Sequence, residues 1–275
     1  MTTLYLNGSL LPLEEGRVSV EDRGFQFGDG VYEVIRVYNG RPFRLDAHLA
    51  RLERSLEGVR IPPPEPLPRL AEICRQVLGS LKEATIYLQI TRGAAPRAHA
   101  FPSGIRPTVL AYARPLQPAP ESKTYTLRSV PDDRWGRCHL KTICLLPNIL
   151  ARQKAVESGC DEGLFVRDDG SVTEGTASNA FFVFKNVLRT HPADSRILNG
   201  ITREIALFLA RRLDISVEER PVKLPEARQA DEIFMTGTTA EIMPVTALDG
   251  KPLAPGPVTA RLRAAFRELV GSECG

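Results

Sequence analysis

The sequence predicts an α+β protein built from two domains. Three observations predict it. First, 275 residues suffice for two hydrophobic cores, since a domain usually takes roughly 100–200 residues. Second, short strands of period two alternate with helices of period 3.6, without internal repeats. Third, the proline-rich stretch ARPLQPAPES, 113–122, is the best linker in the chain. An N-terminal α+β domain is therefore expected over 1–116 and a C-terminal one over 117–275. A functional site is expected in the cleft between them.

The elements follow in order. TLYLNG reads as a strand entering an Asn-Gly turn, and VYEVIRVYNGRPFRL as a hairpin around a second Asn-Gly. DAHLARLERSLEG is a helix with Asp46 as its N-cap, Leu49, Leu52 and Leu56 on one face, and Gly58 at its end. PLPRLAEICRQVLGS is a second helix, aligning Leu70, Ile73, Cys74 and Val77. ATIYLQITRG and RPTVLAYARP are strands. Beyond the linker, KTYTLRSV and HLKTICLL are strand-like, and NILARQKAVESG is a helix ended by Gly159. Two hairpins follow, turning at Asp169-Gly170 and at Lys185-Asn186. ITREIALFLARRL is a helix, DEIFMTGTTAEIMPV a strand, loop and strand, and PGPVTARLRAAFREL a closing helix.

Composition narrows the function classes. The net charge is +3, and the arginines are interleaved with acids instead of clustered with aromatics, which argues against nucleic acid. MTTLYLNGSLLPLEEG lacks the basic and apolar runs of a signal peptide, and no window approaches the ~20 apolar residues of a membrane span. The five cysteines are irregularly spaced and form no CxxC pair. That pattern fits free thiols in a reducing cytoplasm, and neither a disulfide framework nor a metal site.

Four features could carry chemistry. The loop RGAAPRAHAFP, 92–102, holds Arg92, Arg97 and His99 but no acid, so it is expected to receive an anion. Only seven lysines occur among the 36 Lys and Arg, and six sit beside turns, in the linker or on polar helix faces. Lys141 instead lies among Leu140, Thr142 and Ile143. Two readings of it stand on position alone: a strand residue reaching the sheet edge, or an amine made nucleophilic by desolvation. Gly200, Ile201 and Thr202 open a helix whose unpaired N–H groups suit a phosphate, and MTGTTAE, 235–241, is a second turn of that kind. No nucleotide-binding glycine motif competes with them, so a small phosphorylated aldehyde is the expected cofactor. Glu174 precedes a run of small residues and could face a planar ring nitrogen, or it could simply be a surface acid at a strand end.

The span EGTASNAFFVFKNVLRTHPADSRILNGITR, 174–203, resembles the signature of the class IV, or fold-type IV, pyridoxal-phosphate aminotransferases. Its markers are Glu174, Asn179-Ala180-Phe181, Leu188-Arg189-Thr190 and Leu198-Asn199-Gly200-Ile201-Thr202-Arg203. The likeness runs nearly end to end, through EDRGFQFGDGVYEV, RWGRCHLKTICLL and DEIFMTGTTAEIMPV. It implies the fold of that family, with pyridoxal 5'-phosphate between the domains. It further implies that Lys141 bonds the cofactor and shuttles the substrate proton, and that Glu174 pairs with the pyridine nitrogen. Arg51, Ile201, Thr202 and Thr238 would hold the phosphate, and Leu198 would pack against the ring. Members of the family are homodimers whose sites borrow a loop from the neighbouring subunit.

VYEV followed by PRAH resembles the D-amino-acid branch, where Tyr32, Arg97 and His99 would trap the substrate α-carboxylate. The reaction implied is transamination between a D-amino acid and a 2-oxo acid, of the type D-alanine plus 2-oxoglutarate to pyruvate plus D-glutamate. The alternatives on the same fold are a branched-chain L-aminotransferase and an aminodeoxychorismate lyase. Gly237, where a serine is more usual, and Ala177 depart from the family pattern and leave the preferred side chain open.

Overall fold

The computed structural model describes residues 2–275. The chain divides into two compact units. The first comprises residues 1–118, Leu140–Cys144 and Glu273–Gly275; the second comprises Ala119–His139 and Leu145–Ser272. Beside the expected division at 116/117, the difference that matters is the excursion of 140–144, because it carries Lys141 into the first unit.

The first unit holds β1 (Thr3–Leu6), β2 (Ser9–Pro12), α1 (Arg23–Phe27), β3 (Gly30–Tyr38), β4 (Arg41–Pro42), α2 (Leu45–Gly58), α3 (Leu67–Leu78), β5 (Ala84–Thr91) and β6 (Thr108–Pro115). Its strands form one antiparallel sheet ordered β2-β1-β6-β5-β3-β4. Ile35 and Val37 of β3 and Ile86 and Leu88 of β5 share a core with Leu49, Leu52 and Leu56 of α2 and Leu70, Ile73 and Val77 of α3. Those are the helix positions that the 3.6-residue spacing places on one face. The Asn39-Gly40 turn has positive φ at both residues, 50° and 78°, the requirement of a type I′ hairpin and the reason for that dipeptide.

One expected cap is different. Asp46 lies inside the first turn of α2, whose N-cap is Arg44 in the left-handed region (φ 54°) without a side-chain cap. His48 N–H already donates to Arg44 O at 3.1 Å, so the helix starts two residues earlier than its acid suggests. Asp46 still favours the positive end of the helix dipole from there.

The second unit holds β7 (Tyr125–Pro131), α4 (Leu146–Glu157), β8 (Glu162–Val166), β9 (Ser171–Gly175), β10 (Asn179–Phe184), β11 (Val187–Thr190), α5 (Ile201–Arg212), β12 (Val217–Glu219), β13 (Val222–Lys223), α6 (Leu224–Ala227), β14 (Glu232–Gly237), β15 (Glu241–Leu248), β16 (Lys251–Pro252) and all of α7 (Pro257–Cys274) up to Ser272. They make a mixed sheet ordered β12-β11-β10-β14-β15-β7-β8-β9-β13, with β16 on β15. Burial is nearly continuous along β8, β9, β10 and β14, as expected of strands covered on both faces. No helix of the described residues is long and apolar enough to cross a membrane.

Glu232, the first residue of β14, is buried and caps α7 from outside that helix. Its carboxylate accepts from Val258 N at 3.0 Å, Thr259 N at 2.7 Å and Thr259 Oγ1 at 2.6 Å. Glu232→Ala leaves these donors unmet and should cost about 2–3 kcal/mol. Urea unfolding checks this, and an unchanged midpoint would assign α7 its stability elsewhere.

Candidate active site

Lys141 does not sit in a strand. Only its neighbour Thr142 makes an isolated bridge, to Val31. The reason is the partner edge: β5 pairs with β3 over Gly30–Val37, and β4 takes only Val37 and Tyr38 on the other side. The start of β3 therefore keeps open hydrogen-bonding groups. Tyr32 N donates to Lys141 O at 3.0 Å, and Ile143 N to Gly30 O at 3.1 Å. Lys141 N donates to Ser55 Oγ of α2 at 3.2 Å. The lysine amine lies 4.3 Å from the centre of the Tyr32 ring, within cation–π range.

Arg51 lies one helical turn before Ser55, whose hydroxyl donates to Arg51 O at 2.9 Å. Its guanidinium grips Glu33 with two prongs, at 2.7 and 2.8 Å, and His48 Nδ1 donates to the same carboxylate at 2.7 Å. All three are buried. Burial alone would raise the Glu33 pKa, but the charge and hydrogen bonds of Arg51, with His48, bring it down to about 2. Burial lowers that of His48, against the pull of Glu33.

The arginine-rich loop corrects one expectation. Arg92 already has its anion: it meets Asp29 at 2.7 and 3.0 Å, donates to Val59 O and Arg60 O at 2.8 Å each, and stacks on Phe101 at 3.6 Å. Arg97 and His99 are exposed and form no ion pair among the described residues. Both rest on Phe27, the Arg97 guanidinium 4.9 Å from its ring centre and the His99 ring 5.7 Å away, edge-on. Tyr32 packs instead against Tyr87, at 5.7 Å. Within one chain, Tyr32 shares no hydrogen bond or ring contact with Arg97 or His99 among the described residues.

In the second unit, Glu174 is buried near the end of β9. One oxygen accepts from Arg134 Nη1 at 2.6 Å; the other accepts from Asn179 Nδ2 and Leu198 N, each at 3.0 Å. Asn179 also donates to Leu198 O at 2.8 Å, so one amide ties Glu174 to the segment before α5. Arg134 is shared with Asp132, at 2.8 and 3.0 Å, and its plane covers Phe165 at 4.1 Å. Burial pushes the Glu174 carboxyl up to about 7, with Arg134 opposing. Sequence reasoning missed Arg134, and its only local signal was the adjacent acid in DDR, 132–134.

Ile201 and Thr202 form the first turn of α5, which no side chain caps. Gly200 ahead of it has no room for a Cβ, because Asn179 Oδ1 stands there. Thr238 sits half-buried in the β14–β15 turn. Just before that turn, the buried Thr236 hydroxyl lacks a partner.

The residues present fit pyridoxal phosphate. The second unit offers a buried carboxylate for a ring N–H, an uncapped helix start for an anion, and a hydroxyl without a partner. The first offers a lysine amine with a well-anchored backbone. Among the described residues, no group of three or more His, Cys, Asp or Glu could hold a metal ion.

The family described as amino-transferase class IV matches residues 30–248. The chain belongs to the class IV aminotransferases. It is 43% identical over 274 residues to a D-alanine aminotransferase of Bacillus licheniformis, covering 97% of this chain and 96% of that one. A D-alanine aminotransferase of Listeria monocytogenes is 38% identical, with 98% and 96% covered. Among solved structures, the branched-chain aminotransferase of Thermoproteus uzoniensis with norvaline superposes at a TM-score of 0.91. It shares 30% identity, covering 99% of this chain and 96% of that one. A branched-chain aminotransferase from T.th., solved with pyridoxamine 5'-phosphate, reaches 0.91 at 28% identity, covering 98% and 94%. This class IV aminotransferase thus has the fold expected from its sequence and uses pyridoxal phosphate.

The Glu174 pKa gives a stability prediction for protein stripped of cofactor. A carboxyl whose folded pKa is raised stabilises the fold below its unfolded value, near 4.5. That contribution is lost as pH rises through about 7. Relative to Glu174→Gln, the wild type should lose on the order of 3 kcal/mol between pH 4.5 and 8. Denaturant melts across that window measure it, and a pH-independent difference would contradict the assignment.

Proposed function

We propose that this enzyme transaminates D-amino acids, exchanging the amino group of a D-amino acid such as D-alanine for the keto oxygen of a 2-oxo acid such as 2-oxoglutarate. The observation that carries this reading is the pair Arg97 and His99 presented together on Phe27, exposed and without an acid. A guanidinium fork with an adjacent imidazole matches a carboxylate. The relatives named D-alanine aminotransferase, similar over nearly the whole chain, support the same side of the choice.

Bound pyridoxal phosphate supplies an aldehyde for the amino group and a ring that withdraws electrons from the substrate Cα. The chain's own residues do the rest. Lys141 would bond the cofactor and, with its amine free, would move the proton to and from the substrate Cα. Glu174, as a carboxylate, would hold the proton on the ring nitrogen, and Arg134 and Asn179 hold Glu174. The N–H groups of Ile201 and Thr202 and the Thr238 hydroxyl would bind the phosphate, together with Arg51, which Glu33 holds in place. Leu198 would pack against the ring. Tyr32, Arg97 and His99 bind the α-carboxylate, and its position relative to Lys141 selects the D enantiomer.

Because Tyr32 stands apart from Arg97 and His99 within one chain, we further propose a homodimer in which the 92–102 loop serves the neighbouring site. Five free cysteines suit a reducing cytoplasm. The branched-chain L-aminotransferase is the second reading, favoured by the solved neighbours of the fold.

The visible absorption of the loaded enzyme tests this directly. It should bleach with D-alanine and persist with L-leucine; bleaching by L-leucine alone would assign the branched-chain activity. Lys141→Ala should abolish turnover while retaining phosphate-anchored cofactor, and transamination near the wild-type rate would remove Lys141 from the mechanism.

A further inference from the structure

We propose that Arg23 is a positioning residue for the substrate carboxylate, fixing the shape of the loop that carries Arg97 and His99. The proposal rests on the reading that those two residues bind the carboxylate.

The loop cannot shape itself. Between Gly93 and Phe101 it consists of alanines, a proline, Arg97 and His99, and the last two face outward. Its carbonyls must find donors elsewhere. Arg23, buried in α1, supplies them: its guanidinium donates to Ala98 O at 2.5 Å, His99 O at 3.4 Å and Ala100 O at 3.5 Å. Its Nε is held by Asp29 at 2.8 Å, and its backbone N donates to Gly93 O at 2.9 Å. One arginine thus grips the carbonyl ahead of His99, that of His99 itself and the one after it.

The same side chain supports the loop a second way. The Arg23 guanidinium lies 4.8 Å from the centre of the Phe27 ring, the ring on which Arg97 and His99 rest. Phe27 is one turn after Arg23, so α1 presents a charge and a ring on neighbouring positions. That short helix is itself anchored. Asp22 accepts from Gly24 N at its start, and from Thr91 and Thr108 hydroxyls on β5 and β6 at 2.9 and 2.7 Å. Asp29 also holds Arg92, where the loop begins.

Lysine could not replace this arrangement, because only a guanidinium spreads five donors over an acid and several carbonyls at once. A loop ordered beforehand spares the substrate the cost of ordering it, so the contribution should appear in binding and not in the chemical step.

Rapid-mixing bleaching of the cofactor absorption against D-alanine concentration gives a dissociation constant and a limiting rate separately. Arg23→Gln should raise the dissociation constant roughly ten-fold, the worth of one charge-assisted contact, and leave the limiting rate within about two-fold. Arg97→Ala should also weaken binding, and Arg23→Gln added to it should weaken it by less than it does alone, since Arg23 acts through the loop and only His99 is then left for it to position. Phe27→Leu, which keeps the carbonyl contacts, should repeat the binding loss and the non-additivity, and it decides the matter should Arg23→Gln not fold. An unchanged dissociation constant in a folded Arg23→Gln, or full additivity with Arg97→Ala, would overturn the proposal and leave the carboxylate reading standing. An unchanged constant in Arg97→Ala would overturn that reading and this proposal together.

Discussion

The hydrogen bonds that hold the backbone at Lys141 tie the start of β3 to α2. A lysine side chain carries about 2 kcal/mol of rotamer entropy, so a useful amine needs at least a fixed root. Here the root is fixed by an irregular five-residue excursion, not by a strand. Tyr32 N and Ser55 Oγ bond its two backbone groups, at 3.0 and 3.2 Å. The Ser55 hydroxyl also bonds the Arg51 carbonyl, so the turn of α2 that aims Arg51 is the turn that seats the lysine. Tyr32 plays two parts, its amide on the Lys141 carbonyl and its ring beneath the amine.

Two buried glutamates show how partner geometry decides protonation when burial is equal. Both are enclosed and both meet an arginine, yet Glu33 is driven to about 2 and Glu174 to about 7. Glu33 receives a two-pronged guanidinium and an imidazole donor. Glu174 receives one prong of Arg134, whose other donors go to Asp132 and Thr173. With the arginine divided, desolvation wins. Glu33 is thereby a permanent anion that steadies Arg51 and His48. Glu174 is a carboxylate short of positive charge, the state that gains most from a protonated ring nitrogen.

What was legible in the sequence is what neighbours in the chain determine. The Asn39-Gly40 and Lys185-Asn186 turns, the leucine faces of α2 and α3, and the start of α5 at Ile201 all follow from spacing and local backbone preference. What was not legible is pairing across the chain. The loop 92–102 contains no acid and so reads as a vacant anion site; Asp29, 63 residues earlier, satisfies Arg92. Arg23 lies 75 residues from the carbonyl it holds most closely, and Arg134 lies 40 from Glu174. The apolar run around Lys141 read as a strand because hydrophobicity does not reveal which sheet edge is still open. The candidate residues themselves came from the family pattern, and the residues that hold them in place came only from the folded structure.

The similarity of this chain to branched-chain enzymes at TM-scores near 0.9 and to D-alanine enzymes by sequence is not a conflict. A fold that positions cofactor and lysine leaves the handedness of the substrate undecided. Handedness is set by where the carboxylate lies relative to the lysine, since Cα–H must face the amine. A loop on the surface of the first sheet can move that anchor without disturbing a single strand. The cost of such freedom is that the loop needs its own support, and here the support is a five-residue helix, an arginine and a phenyl ring. On the proposed reading, selectivity for one enantiomer rests on residues 22–29 and 92–101 taken together, and the first sheet is the frame on which they are mounted.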